Sequence, residues 1–308
     1  MNKDKLRAAV VGLGNMGRHH VRNYHEMEDV ELVAVCDSGQ DRVDEFSCKF
    51  NCNPYTDLST MLSEQAIDVV SLAAPTSLHY RLAKDILQAG CHVLIEKPIA
   101  ESVKEADELT QIANDLNRVL AVGHIERFNP AVVALKGVLD SGELGQVNSL
   151  VLQRCGPMPM QIRDANVVID LAVHDIDIAT MLVGTPPLSV AAHAGQSQLQ
   201  DRHDHAEILL KFPSSSAMIQ VNWITPKRVR KLSLTGSKGY AELDFIGQTV
   251  EVFFPNNTSR SVPVGEVEPL RSELRHFLAA VRGHDDLLIS SSVGRDALAL
   301  ALDVLAAV

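Results

Sequence analysis

Hydrophobic residues in the first 123 positions alternate between short apolar runs and amphipathic stretches, a pattern typical of a parallel sheet with helical crossovers. The runs predict strands at residues 7–12, 30–36, 68–73, 91–96 and 119–123. The stretches predict helices at residues 15–28, 78–89 and 103–116. We therefore expect residues 1–123 to form an α/β domain on a doubly wound parallel sheet.

The pattern changes after His124, where a helix over residues 129–139 and a strand over 146–154 are predicted. Between residues 188 and 264, alternating segments such as HAEILLKF and AELDFIG indicate antiparallel strands with one solvated or partner-covered face. Helices over residues 269–281 and 292–307 follow. We expect residues 124–308 to form an α+β domain on a largely antiparallel open sheet.

Composition narrows the possible partners and compartments. A length of 308 residues predicts two domains, and a net charge of −11 argues against general affinity for nucleic acid or anionic membranes. The five cysteines lack paired CxxC spacing, which disfavours a disulfide framework or a structural zinc site. We expect reduced, buried thiols. With neither a signal peptide nor a membrane span indicated, we expect a cytoplasmic protein.

A glycine-rich turn follows the first predicted strand and precedes the first predicted helix. Its sequence is GLGNMG, with glycines at Gly12, Gly14 and Gly17. Glycines at this spacing permit a tight turn and a close approach of the backbone to a pyrophosphate, which the helix N-terminus then faces. The turn therefore predicts a Rossmann dinucleotide site.

Asp37 ends the second predicted strand, where a carboxylate can accept hydrogen bonds from a ribose diol. Because this carboxylate would repel a 2′-phosphate, and because Ser38 rather than an arginine follows it, we expect NAD to be favoured over NADP. Because Arg42 lies one turn away, NADP stays possible as the cofactor.

Two further segments carry candidate chemistry: IEKPIA at residues 95–100, and VVIDLAVHDIDIA at residues 167–179. Lys97 follows a sheet strand at its carboxyl end, where open parallel sheets bind ligands. Asp170, His174 and Asp177 have spacings that put them on one helix face. The alternatives are a surface lysine, an N-cap, a core histidine or a metal site; we expect no metal.

Alcohol oxidation requires a group that takes the hydroxyl proton while hydride leaves the carbon. A histidine has a suitable pKa for such a base near neutrality. A lysine can stabilise the developing alkoxide charge, and Asp170 can orient or tune the pair.

GLGNMG, EKP and the DxxxHDxD pattern together resemble the glucose-fructose oxidoreductase / inositol dehydrogenase family, and the resemblance covers essentially the whole chain. It implies that Lys97, Asp170 and His174 are the catalytic set. Family members differ over whether the lysine or the histidine takes the proton, so both assignments stay open. Further cofactor contacts are expected at Asn15, Met16, Ala74, Pro75, His79 and Glu96.

A narrower resemblance, to the UDP-N-acetylglucosamine 3-dehydrogenase branch, comes from GHIERFNPA, RCGPMP and NWITPKRVRKLSLTGSKG. It implies oxidation of the sugar 3-hydroxyl. Ala172 departs from the glycine that many members of the wider family have there. Besides the catalytic set, we expect substrate contacts from a group of polar and basic residues: Arg127, Asn129, Arg154, Arg163, Lys227 and Arg230.

Two alternatives stay open. A dehydrogenase of inositol or of a free sugar would not need the basic cluster of Lys227, Arg228 and Arg230. A non-catalytic NAD-sensing regulator is the other alternative, since the galactose-regulon repressor of yeasts resembles the same fold. An uncovered apolar sheet face would suggest a homodimer or homotetramer that assembles through the C-terminal sheet.

Overall fold

The computed structural model describes residues 5–158 and 165–308 and divides the chain into two compact units. The first unit comprises Met1–His124 and Leu270–Asp296, and the second comprises Ile125–Pro269 and Ala297–Val308.

The first unit contains a six-stranded parallel sheet. Its strands are β1 (Leu6–Val11), β2 (Val30–Cys36), β3 (Asn53–Tyr55), β4 (Val69–Leu72), β5 (His92–Glu96) and β6 (Leu120–Gly123). Its helices include α1 (Gly17–Glu26), α2 (Gln40–Phe50), α3 (Leu58–Glu64), α4 (Thr76–Gln88) and α5 (Val103–Asp115). The order β3-β2-β1-β4-β5-β6 is that of a Rossmann sheet, which confirms the predicted fold class.

The direction of the crossovers reverses between β1 and β4, which are neighbours in the sheet. Ligands of open α/β sheets bind beyond the carboxyl ends of the strands at such a point. The glycine-rich turn follows β1 at this edge, and Ala73 and Ala74 follow β4. The topology alone therefore places the predicted dinucleotide site.

The second unit contains an eight-stranded sheet. Its strands are β7 (Val147–Pro157), β8 (Ser189–Gly195), β9 (His205–Lys211), β10 (Ser216–Asn222), β11 (Ile224–Gly236), β12 (Tyr240–Asp244), β13 (Thr249–Phe253) and β14 (Ser259–Val262). The order is β14-β13-β12-β11-β7-β10-β9-β8, antiparallel except where β10 pairs with β7. The remaining α-helices of the described residues are α6 (Pro130–Asp140), α7 (Val173–Val183), α8 (Pro269–Val281) and α9 (Ser291–Ala306).

Helices α6 and α7 pack on one face of this sheet. Strand β9 shows the resulting alternation, because Ala206, Ile208 and Leu210 are buried while the residues between them are exposed. The opposite face carries Leu209 and Met218, which are cross-strand neighbours and each 49% exposed. An open sheet with one uncovered face matches the prediction.

The structure differs from the sequence analysis in one domain boundary. The predicted second domain included all of residues 124–308, yet Leu270–Asp296 packs with the first unit. Helix α8 buries Leu274, Phe277 and Leu278, and two ion pairs join the segment to the first unit: Arg271 lies 3.2 Å from Glu26, and Arg282 lies 2.8 Å from Asp29. These contacts between residues far apart in sequence have no counterpart in the local hydrophobic pattern.

The cysteines are all free, but only Cys36, Cys91 and Cys155 are buried. The expectation of uniformly buried thiols was therefore wrong for Cys48, which lies exposed on the polar face of α2, and for the partly exposed Cys52. No helix within residues 5–158 or 165–308 is long and apolar enough to span a bilayer.

Candidate functional site

Two of the three glycines in the turn after β1 are required by close contacts, and the third lies beside open space. Gly12 has φ +90°, and a Cβ there would lie 2.6 Å from the carbonyl carbon of Ala73. A Cβ on Gly17 would lie 1.8 Å from the Gly12 carbonyl oxygen. A Cβ on Gly14 would meet nothing within 4 Å, so its missing side chain leaves open space beside the backbone. This space is where a pyrophosphate needs to approach.

Helix α1 begins directly behind this turn. Met16 precedes its first residue and makes no side-chain cap, and the first turn of the helix contains no acidic residue. The Asn15 side chain accepts a hydrogen bond from Arg18. The positive end of the helix dipole therefore faces no acidic side chain of the first turn, which favours an anion such as a dinucleotide phosphate at this end of the helix.

Asp37 joins the glycine-rich turn to the end of β2. Its Oδ2 accepts a hydrogen bond from the Leu13 N–H at 2.7 Å, and its Oδ1 accepts one from the Gly39 N–H at 2.8 Å. Burial would raise the pKa of this carboxyl, but hydrogen bonds from Arg42 and from these two amides outweigh burial and lower the pKa below its ordinary value of 3.8. Asp37 is therefore ionised at neutral pH.

A cleft of about 260 Å³ opens beside this carboxylate. Its walls include Gly12 and Asp37 from the predicted cofactor set, and Ala74 and Pro75 from the turn after β4. The structure thus brings four predicted cofactor residues to one cleft within the first unit. Arg81 also lines it, a residue for which the sequence pattern gives no signal.

His79 has a different environment from the one predicted. It is 1% exposed, and its ring nitrogens lie 2.8 Å from the carbonyl oxygens of Pro98 and Ala74. Carbonyl oxygens only accept hydrogen bonds, so a ring nitrogen that carries a proton donates to the carbonyl beside it. His79 therefore holds two backbone turns in place, and we no longer interpret it as a direct cofactor contact.

Lys97 is half-buried at the end of β5, as expected for a residue at the carboxyl edge of the sheet. Its neighbour Glu96 is 7% exposed and accepts a hydrogen bond from His20 at 2.8 Å. Glu96 was predicted as a cofactor contact, and this pairing gives it a buried partner that the sequence did not indicate.

In the second unit, Asp170 lies in a π-helical turn, Val168–Ala172, and His174 in the first turn of α7. The Asn166 side chain caps the turn by accepting from Val168 N–H at 3.0 Å and Ile169 N–H at 3.1 Å. Asp170 is therefore not the cap, which removes one structural alternative. Both Asp170 and His174 are half-buried. Single π-helical turns within helices are frequent at functional sites.

Asp177, placed by spacing on the same face, is 3% exposed and paired with Arg127. Arg127 donates from Nε at 2.8 Å and from Nη2 at 2.6 Å. The bidentate pair occupies both partners, so Arg127 is poorly suited to grip a substrate. Among the residues that the structure describes, no three His, Cys, Asp or Glu side chains form a group that could hold a metal ion.

Arg154 was also predicted to contact the substrate, but two carboxylates that sequence reasoning missed engage it. Its Nε and Nη2 donate to Asp175 at 2.9–3.0 Å, and its Nη1 donates to Glu126 at 2.7 Å. Burial lowers the pKa of Arg154, but the two carboxylates outweigh burial and raise it. A buried guanidinium matched in this way fits a structural role better than diphosphate binding.

Asn129 likewise has structural partners. Its Oδ1 accepts from Ala131 N–H at 3.1 Å at the start of α6, and its Nδ2 donates to the Phe245 carbonyl at 3.1 Å. The residue is 4% exposed. It therefore caps a helix rather than presenting its amide to a ligand.

The basic segment of β11 contains the remaining predicted substrate contacts. The pairing with β7 is interrupted between Ile224 and Val229, and Lys227 and Arg228 are exposed in this interruption. Arg230 is half-buried and donates to the Cys155 carbonyl at 2.6 Å. Burial, with the charges of Arg154 and Arg228, lowers its pKa to about 10. Arg163 lies outside the described residues.

Comparisons with known proteins cover both units. The family model for the NAD-binding Rossmann fold of the GFO/IDH/MocA oxidoreductases matches residues 6–124, and that for the GFO/IDH/MocA C-terminal domain matches residues 132–242. A UDP-N-acetylglucosamine 3-dehydrogenase of Acidithiobacillus ferrooxidans is 29% identical, over 98% of this chain and 97% of the relative. An inositol 2-dehydrogenase of Rhizobium meliloti is 25% identical, over 96% of this chain and 94% of the relative.

Solved structures extend the likeness to the fold. A UDP-N-acetylglucosamine 3-dehydrogenase from Acidithiobacillus ferrooxidans has a TM-score of 0.90 to this chain at 30% identity. The match covers 99% of this chain and 98% of that one.

Proposed function

Because the chain belongs to the GFO/IDH/MocA family of NAD-dependent oxidoreductases, we propose that it oxidises the 3-hydroxyl of UDP-N-acetylglucosamine to a 3-keto sugar. At the coarser level the chain is an NAD-dependent sugar dehydrogenase. The finer proposal rests on the similarity to dehydrogenases of that name over almost the whole chain. The observation that favours it most within the chain is the exposed basic pair beside Arg230.

The first unit has the features that NAD requires. The open space at Gly14 admits a pyrophosphate, the uncapped N-terminus of α1 attracts its charge, and Asp37 offers a carboxylate to a ribose diol. NAD, when bound, supplies the acceptor for the hydride that leaves the sugar carbon. The stoichiometry is one alcohol and one NAD⁺ giving one ketone, one NADH and one proton.

We propose that Lys97 and His174 act on the hydroxyl proton that the alcohol loses in this reaction. One of the two takes it from the hydroxyl, and the other holds the oxygen while negative charge develops there. Asp170 orients or tunes the pair. Half-burial of all three side chains supports these roles, since it keeps each accessible to a ligand while it weakens competition from water.

The substrate diphosphate needs cations that no carboxylate of the protein neutralises. Arg127 and Arg154 do not qualify because each is paired with carboxylates. Arg230 does qualify: its recorded acceptors are carbonyl oxygens, and no carboxylate of the described residues lies within ion-pair distance of it. Burial and the charges of Arg154 and Arg228 lower its pKa, while Asp175 and Glu126 act in the opposite sense, and a bound diphosphate would add negative charge in direct contact.

The exposed Lys227 and Arg228 add charge in the same segment. A neutral polyol would gain nothing from three uncompensated cations, which is why we favour a nucleotide sugar over inositol. The similarity to an inositol 2-dehydrogenase at 25% identity makes inositol the competing substrate.

The proposal is tested by identifying the product. Enzyme, NAD and UDP-N-acetylglucosamine are mixed, NADH is followed by its absorbance, and the product is trapped with borodeuteride so that NMR locates the deuterium. We expect NADH formation and deuterium on carbon 3 of the sugar. Deuterium on another carbon would refute the 3-hydroxyl assignment, and NADH formed with inositol but with no UDP-sugar would refute the substrate class.

A further inference from the structure

A chain of four buried polar side chains lies within the first unit, under the end of β5. Tyr24 and His20 belong to α1, Ser71 to β4 and Glu96 to β5. Tyr24 Oη lies 2.9 Å from Ser71 Oγ, and His20 Nδ1 lies 3.0 Å from the same oxygen. His20 Nε2 lies 2.8 Å from Glu96 Oε1. The first three residues are fully buried.

The direction of these hydrogen bonds follows from Glu96. Its carboxylate can only accept, so His20 donates from Nε2. In the neutral ring Nδ1 then accepts from the Ser71 hydroxyl, and Ser71 Oγ accepts in turn from Tyr24. Each hydrogen bond in this row of four side chains is therefore donated in the direction of Glu96. Although serine, histidine and glutamate in this order also occur in hydrolases, the fully buried Ser71 is inaccessible to a substrate carbonyl.

A second buried carboxyl lies near this chain. Glu273 of α8 is 2% exposed, and neither of its oxygens has a hydrogen-bond partner among the described residues. Burial, and then the charge of Glu96, raise its pKa well above the ordinary value of 4.5. Glu96 therefore lies beside a second buried carboxyl, and His20 is a side chain that hydrogen-bonds to it.

The hydrogen bond matters because Glu96 precedes Lys97 directly. Glu96 is fixed by His20 on one side of the lysine, and the Pro98 carbonyl is fixed by His79 on the other. Both neighbours of Lys97 are therefore anchored: Glu96 by its side chain and by its pairing with Gly123 in the sheet, and Pro98 by its carbonyl. A catalytic group displaced by a fraction of an ångström loses much of its rate advantage, so these anchors can influence turnover without contacting the substrate.

We propose that His20 is a positioning residue for the dehydrogenation: through its buried hydrogen bond to Glu96, it holds the turn that carries Lys97 against the nucleotide-binding helix. This inference rests on the proposed role of Lys97. It gives a role to the second of the two histidines in the GRHH segment at residues 17–20, which the dinucleotide interpretation left without one.

The test compares two isosteric half-replacements. In His20→Gln the amide nitrogen approximates Nε2 and can still donate to Glu96; in His20→Asn it approximates Nδ1 and reaches only Ser71. Hydrogen–deuterium exchange of the NAD-bound protein is measured over residues 95–100, with kcat and KM. We expect His20→Asn to exchange faster there and to lose about 10- to 100-fold in kcat, with a smaller change in KM. His20→Gln should stay close to the unmodified protein.

Tyr24→Phe is the matched control, because it removes the far end of the chain and leaves the His20–Glu96 bond in place. Its exchange over residues 95–100 and its kcat should match the unmodified protein. Unchanged exchange in His20→Asn would overturn the inference, as would accelerated exchange with an unaltered kcat. If His20→Asn does not fold, the test rests on His20→Gln. A kcat close to that of the unmodified protein is then expected, and a lower kcat contradicts the inference.

The exchange measurement requires no substrate, so it separates this inference from the proposed function. Failure of UDP-N-acetylglucosamine to react would leave the exchange result standing, with kcat then measured on whichever sugar is oxidised. A Lys97→Met variant with full kcat would instead remove the role of Lys97, and with it the catalytic consequence proposed for His20.

Discussion

Arg42 donates two hydrogen bonds to Oδ1 of Asp37, from Nε at 3.2 Å and from Nη2 at 2.5 Å. The arginine that left NADP open as a cofactor is thus paired with the carboxylate that favours NAD. About half of the Arg42 side chain is exposed, whereas that of Asp37 is 9% exposed. If Asp37 contacts the ribose as proposed, the pair offers it a buried carboxylate beside a half-exposed guanidinium.

Substituting either member of this pair should shift the preference for NAD over NADP, and the two substitutions should shift it in opposite directions. Asp37→Ala should weaken NAD binding and narrow the preference over NADP by roughly tenfold, equivalent to about 1.4 kcal/mol. Arg42→Ala should widen the preference, because it leaves the carboxylate uncompensated against a 2′-phosphate. Isothermal titration of both cofactors into each protein measures this. Equal affinities in the unmodified protein would refute the argument.

Substitutions of Lys97 and His174 should lower turnover without weakening cofactor binding. Lys97→Met and His174→Ala are each expected to lower kcat on the order of 100- to 10,000-fold, the range for a positioned acid or base. Because neither is proposed to contact the cofactor phosphates, the NAD affinity should change little. Lys104→Met is the control, since Lys104 is an exposed lysine of the same unit. Full turnover in either variant would remove that residue from the mechanism.

Arg154 should affect stability more than ligand binding. Arg154→Met leaves Asp175 buried without its partner, and breaking a buried pair in this way costs about 3–5 kcal/mol of the free energy of unfolding. Thermal unfolding of this variant and of Arg228→Met, whose arginine is exposed, gives the comparison. An unaltered Tm together with a raised KM for the UDP-sugar would contradict the structural role and indicate that Arg154 contacts the substrate.

An exposed apolar pair on the uncovered face of the second sheet leads us to propose a homo-oligomer. Leu209 and Met218 form an exposed cross-strand pair on β9 and β10, where a second copy of the chain could cover them. Met218→Lys should reduce the mass in solution, measured by light scattering after size exclusion. Leu188→Lys, at an exposed position before β8, should not. A monomeric unmodified protein would contradict this proposal.

The sequence predicted the elements whose hydrophobic pattern is strong. The buried strands β1, β2 and β5 and the glycine-rich turn follow from short apolar runs and from spacing. Residues 38–67 gave no such signal, because α2 buries only Val43 and β3 is three residues long. The packing of Leu270–Asp296 with the first unit depends on contacts between residues far apart in sequence, which no local pattern encodes.

The candidate site was predictable in its residue types but not in their partners. Lys97, Asp170 and His174 have the exposure that their proposed roles require, whereas Arg154, Arg127 and His79 turned out to be anchored inside their units. The difference lies in Asp175, Asp177 and the backbone carbonyls, whose positions depend on tertiary packing. A basic residue therefore indicates an anion site only when its counter-charges are known.

The central claim is that a nucleotide diphosphate supplies the binding energy that brings the sugar hydroxyl to Lys97 and His174. The most direct test is kcat/KM, from NADH absorbance, for UDP-N-acetylglucosamine and for free N-acetylglucosamine. It is measured in the unmodified protein, in a Lys227→Ala, Arg228→Ala double variant, and in Lys231→Ala, which removes an exposed lysine from the paired part of the same strand. We expect the UDP-sugar to be favoured by a large factor, and the double variant alone to reduce that factor. A free sugar or inositol oxidised as efficiently as the UDP-sugar would contradict the claim.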